Sequence, residues 1–155
     1  MIIYSGGQTG VDRAGWDAAK FLGLKQTGWV PKGRLAEDGV ISPEYECSET
    51  DSSDYVVRTE KNLVEAEATV ILTFGTPTGG TLLTFDLCKQ HNRPFILVDL
   101  DQINFEKGIA NTLDFLKKQS PKTLNIAGPR ASKGVDVYFK AKKFLITLLK
   151  DYLRN

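Results

Sequence analysis

The chain has 155 residues, 41% of them hydrophobic and 25% charged, which fits one globular domain spanning residues 1–155 and excludes a disordered polymer. A formal net charge of +1, with no basic run and no acidic block, excludes the footprint of a nucleic-acid binder. Two cysteines in unrelated contexts, Cys47 and Cys88, and a single histidine, His91, exclude a disulfide framework and a metal site; with no leader pattern and no bilayer-length apolar stretch, the expectation is a cytoplasmic protein without a membrane partner.

In chain order, residues 1–5 read as a short buried strand, followed by a glycine-rich turn. Val11, Ala14, Ala18, Phe21 and Leu22 then form a helical stripe that Gly23 can end. Residues 27–30 read as a second strand, and 31–54, rich in glycine and proline with no sustained period, as a long ordered loop. A helix is predicted from Thr59 to about Ala66, and a strand over 68–74, the clearest apolar run in the chain. Helix 80–90, strand 94–98, helix 105–119 and strand 123–127 follow. A last helix carries Val137, Ala141, Phe144, Leu145, Leu148 and Tyr152 on one face. Apolar runs without alternation predict strands covered on both sides. The fold class is therefore α/β: a Rossmann-like, doubly wound parallel sheet of about five strands with helices on both faces.

Three loops leave strands at one edge of such a sheet. Ser5-Gly6-Gly7-Gln8-Thr9-Gly10 opens the first helix, where glycines, backbone N–H groups and the Thr9 hydroxyl suit a phosphate; a tight turn needing glycine only for geometry is the plain alternative. Thr78-Gly79-Gly80-Thr81 repeats the arrangement after the 68–74 strand. In a flavodoxin-like strand order, 2-1-3-4-5, these two loops flank the crevice where open α/β sheets bind ligands. Gly128, Arg130 and Ser132 follow the last strand, Arg130 being either a phosphate fork or an exposed loop cation. Asp12 either favours the helix start or contacts a polar ligand group, and Arg13 adjoins it. Lys32 and Arg34 are candidates only through their place after the second strand, and Arg58 only through its place before a helix. The lysine of a Walker A loop is missing after Gly10, and no dinucleotide fingerprint with an acidic residue ending strand two is present.

The segments Ser5 to Ala14, Gly28-Trp29-Val30-Pro31-Lys32-Gly33-Arg34 with Ala36-Glu37-Asp38-Gly39, Arg58-Thr59-Glu60 with Asn62, Thr78 to Thr81, and Leu124 to Arg130 resemble the molybdenum-carrier family, in order and over most of the chain. That family is part of a Rossmann-like group with molybdenum-cofactor carriers and the Lonely Guy and lysine-decarboxylase-like proteins. The resemblance implies a homo-oligomer and a phosphorylated small molecule as ligand, molybdopterin (the molybdenum cofactor) or a nucleotide derivative. Lonely Guy enzymes, which cleave the N-glycosidic bond of nucleoside monophosphates, carry a catalytic glutamate where Thr84 stands here; Asp86 lies on another helix face. The function expected is therefore a non-catalytic carrier. The alternative is a nucleotide-processing hydrolase with Asp12 or Glu37 in the missing role.

Overall fold

Alternate residues of one fully buried strand, Ala68–Thr73, divide the interior in two. Ala68, Val70 and Leu72 join the larger core, whereas Ile71 packs on the other side with Leu63, Leu87 and Cys88. The computed structural model describes all residues, Met1–Asn155. In order these form β1 (Ile2–Tyr4), α1 (Val11–Phe21), β2 (Lys25–Thr27), β3 (Trp29–Val30), β4 (Leu35–Ala36), β5 (Gly39–Val40), β6 (Ser48–Glu49), α2 (Tyr55–Glu65), β7 (Ala68–Thr73), α3 (Gly79–Gln90), β8 (Phe95–Asp99), α4 (Phe105–Gln119), β9 (Thr123–Ala127) and α5 (Val137–Leu153). Helices α1 and α4 pack on α5 over the larger core, and α2 packs on α3 over the smaller one. No helix is long and apolar enough to cross a membrane.

The main sheet is five-stranded and parallel, as expected, but its order is β2-β1-β9-β7-β8. The flavodoxin-like order is thus corrected: β9 stands between β1 and β7, pairing Tyr4 with Asn125 on one side and Val70 with Ile126 on the other. Counted from β9 instead of β1, the order becomes 3-2-1-4-5, that of a Rossmann sheet. The chain's direction of travel across the sheet reverses between β9 and β7. The crevice therefore opens at the ends of those two strands.

Two elements begin well away from where they were expected. The second strand is Lys25–Thr27, because Gly28, at φ 147°, turns the chain past Ser5: a Cβ there would lie 1.9 Å from the Ser5 carbonyl oxygen. Helix α2 starts at Tyr55, not Thr59, since the Asp54 carboxylate caps it by accepting the Val56 N–H at 3.0 Å. The 31–54 segment is ordered as expected, through the pairs β3–β6 and β4–β5. A small core of Trp16, Val30, Ile41 and Tyr45 seats it on α1, with the Trp16 and Tyr45 rings stacked at 5.2 Å.

Candidate functional site

A cavity of about 490 Å³ opens where β1, β7 and β9 end, closed on its far side by the first turns of α2 and α3. Eight of the protein's thirteen buried polar side chains stand in its wall: Gln8, Asp12, Thr59, Asn62, Thr73, Thr81, Thr84 and Asn125. Most of them are hydrogen-bonded within the chain, as buried polar groups must be, and among these eight only Gln8 has a buried side-chain atom without a partner, Nε2.

The start of α3 forms one side. Thr78 is its N-cap and contributes no side-chain cap bond, and the backbone N–H groups of Gly79 and Gly80 find no acceptor within the protein. Nothing lies within 4 Å of where a Cβ on either glycine would point. Such a helix start carries partial positive charge and free donors, which together suit an anion. Three cations, Arg58, Arg130 and Lys133, stand in the same wall. The guanidinium groups of Arg58 and Arg130 lie 5.3 and 5.7 Å from the centre of the Tyr55 ring, which also faces the cavity.

At the other side Asp12 and Arg58 face each other at 4.0 Å. Burial pushes the Asp12 carboxyl up to about 6, against the lowering pull of Arg58 and of the Gln8 N–H, which donates to it at 3.3 Å. Burial likewise lowers Arg58, with Asp12 opposing. Desolvation therefore outweighs the attraction for both partners.

The structure brings Gly6, Gln8, Asp12, Arg58, Thr78, Gly79, Gly80, Thr81, Gly128 and Arg130 into this wall. Gly7, Thr9, Gly10, Arg13, Lys32, Arg34 and Ser132 stand outside it, and all but the Lys32 side chain make contacts within the protein. Four N–H groups of the first glycine loop are used internally: the Gly7 N–H goes to the Ser5 hydroxyl, the Gln8 N–H to Asp12, the Thr9 N–H to the Gln8 side chain, and the Val11 N–H to the Pro129 carbonyl. Gly10, at φ 81°, is required by close packing, because a Cβ there would lie 2.4 Å from the Pro129 oxygen. Arg13 clamps the Gly7 carbonyl at 2.9 Å and pairs with Asp38 at 3.2 Å. Arg34 donates to the carbonyls of Ile41, Ser42 and Tyr45, and Lys32 is exposed.

Glu37, the second carboxylate considered for catalysis, also lies outside the wall. It receives the Thr9 hydroxyl and both the N–H and hydroxyl of Ser132, the latter at 2.7 Å. Burial pushes its carboxyl up, but these hydrogen bonds outweigh that and hold it below the ordinary value. Thr84, at the enzymes' glutamate position, donates to the Gly80 carbonyl at 3.0 Å. Tyr55, Asn62, Thr73, Asn125 and Lys133 were not among the sequence candidates. Two of them carried a signal: Asn125, as a polar residue inside the apolar run Leu124-Asn125-Ile126, and Asn62, in one of the segments that carry the family resemblance.

A Rossmann sheet read from its last strand, with a polar cavity at the point where strand order reverses, defines a circularly permuted member of the Rossmann-like α/β class. The chain belongs to the circularly permutated YpsA SLOG family, whose model matches residues 3–149. It is similar to the "Putative molybdenum carrier protein" of Syntrophus aciditrophicus SB, whose crystal structure matches with a TM-score of 0.93 and 40% identity over 96% of this chain and 94% of that one. No curated protein matches it.

Proposed function

We propose that the cavity holds a phosphate-bearing small molecule, a phosphorylated pterin such as the molybdenum cofactor or a nucleotide-like compound, and that the protein carries it without turning it over. The observation that carries this reading is the open α3 start, where the Gly79 and Gly80 N–H groups lack acceptors in a wall that also holds Arg130 and Lys133. A phosphate there gains charge-assisted hydrogen bonds from backbone and guanidinium together. The name of the structural relative adds molybdenum as a cargo. No group of three or more His, Cys, Asp or Glu side chains is placed to hold a metal, so the donors present fit the cofactor's phosphate and not a metal bound by the chain. Calorimetry with a phosphorylated ligand and its dephosphorylated form tests this: the phosphate should tighten binding about ten- to a hundred-fold. Equal affinities overturn it.

One observation favours the hydrolase as a second reading: Asp12 is a cavity carboxyl raised to about 6, in the range useful for proton transfer. Incubation with nucleoside monophosphates separates the two. The carrier reading expects no free base above the buffer control, and base release abolished by Asp12→Asn establishes the enzyme.

A further inference from the structure

Gln8 is 4% exposed and held in one orientation. Its Oε1 accepts the Thr9 N–H at 3.0 Å and the Glu37 N–H at 2.8 Å, which fixes the oxygen and nitrogen ends of the amide. The opposite end, Nε2, is buried and has no acceptor. Arg58 repeats the pattern, its Nε being buried without a partner. Both side chains belong to the cavity wall, and both adjoin Asp12, through the Gln8 N–H at 3.3 Å and Arg58 Nη2 at 4.0 Å. Buried donors without acceptors are rare in native proteins, and two in one cavity wall ask for acceptor atoms from outside the chain.

The charge at this end is already balanced, since Arg58 faces Asp12. A second phosphate would meet the Asp12 carboxylate, whereas a neutral acceptor would not. Gln8 has no free acceptor to offer in return, because its oxygen is used twice.

We propose that Gln8 and Arg58 read the end of the ligand remote from its phosphate, as two donors for the ring carbonyl and neighbouring ring nitrogen of an oxo-heterocycle. In oxopurines and oxopterins the nitrogen bonded to the carbonyl carbon carries a proton. The pair of acceptors they share is therefore the carbonyl oxygen and the unprotonated nitrogen beside it across the ring fusion, O6 with N7 or O4 with N5. An aminopurine presents a donor in place of the carbonyl, so it would leave one protein donor unpaired and meet it with another. The proposal rests on the phosphate lying at the α3 start and adds to it the class of ring the cavity selects.

The test compares IMP with AMP, which carry the same ribose phosphate and differ in the oxo or amino group. Calorimetry on the wild type should give IMP a tighter Kd by about tenfold or more. Gln8→Glu keeps the oxygen that Thr9 and Glu37 need and replaces the donor with an acceptor. It should bring the ratio of the two affinities to near one or invert it, while any loss common to both nucleotides cancels. Should that variant fail to fold, the side-chain amide resonance of Gln8 in labelled wild-type protein serves instead: IMP should move it and ribose phosphate should not. Hydroxymethylpterin monophosphate, run in parallel, distinguishes the two ring systems by which binds more tightly. AMP binding as well as IMP, an unchanged ratio in Gln8→Glu, or an unmoved Gln8 resonance overturns the proposal. The phosphate reading fails separately, if ribose phosphate binds no better than ribose.

Discussion

Replacing Gly80 with alanine separates what the α3 start does for the fold from what it does for a ligand. The backbone at Gly80 needs no positive φ, and a Cβ there meets nothing within 4 Å. Alanine also suits a helix better than glycine, by up to about 1 kcal/mol. The variant should therefore melt no lower than the wild type. The space the methyl fills is where a phosphate would approach the unpaired N–H groups. Losing one charge-assisted hydrogen bond costs about 1.5–3 kcal/mol, or roughly ten- to a hundred-fold in Kd. A ligand at about one hundred times its wild-type Kd stabilises the protein by about 2.7 kcal/mol, and this falls to about 1.4 for a tenfold loss or about 0.4 for a hundredfold one. At ~2–4 °C per kcal/mol for a chain of this size, a rise of ~5–11 °C shrinks to about half or less. The assay is thermal melting of both proteins with and without IMP. A Gly80→Ala protein that keeps the full ligand-induced rise refutes the phosphate site at α3.

Gly10→Ala should behave in the opposite way, losing more than about 2 kcal/mol in urea unfolding, because a left-handed φ and a collision with the Pro129 carbonyl add together. A near-native midpoint would contradict the packing described for the first loop. Asp12 holds its proton more tightly folded than unfolded, so it contributes stability that is full below the unfolded value and lost as pH rises through about 6. A shift from 3.8 to about 6 corresponds to about 3 kcal/mol. The stability difference between Asp12→Asn and wild type should move by roughly that amount in favour of the variant from pH 4 to pH 8, and a constant difference would show that Asp12 is not buried as described. Glu37→Gln removes the carboxylate that Thr9 and Ser132 share, so the loop carrying Ser132 should exchange its amide protons faster while the helix α5 amides keep their protection.

Much of the fold is legible from period and composition. The run Ala-Thr-Val-Ile-Leu-Thr is a strand buried on both faces because neither face alternates with charge, and the α1 stripe marks its inward side. The sheet order is not legible, because the slot β9 enters depends on the edges that β1 and β7 leave open, and no local pattern records that. At the site, Gly79 and Gly80 look the same in sequence as Gly7 and Gly10. Only the space around each tells them apart: empty over the first pair, filled by Trp16, Ile41 and Pro129 over the second. The start of α2 was within reach, since Ser52-Ser53-Asp54 is a helix-cap signal that names Tyr55 as the first helical residue. Arg34 misleads in the other direction, being a basic residue after a strand that is consumed by the carbonyls of its own loop.

The place of β9 also sets an order of events during synthesis. Chains emerge N-terminus first, so β1 with β2, and β7 with β8, leave the ribosome before the strand that joins them. Until residues 123–127 arrive, β1 and β7 each present an unpaired edge of the kind that invites pairing with another chain. Contacts that close late and over a long separation in sequence are slow to form. The nascent protein is thus most exposed to misassembly, and to help from a chaperone, in the interval between the appearance of β7 and the insertion of β9.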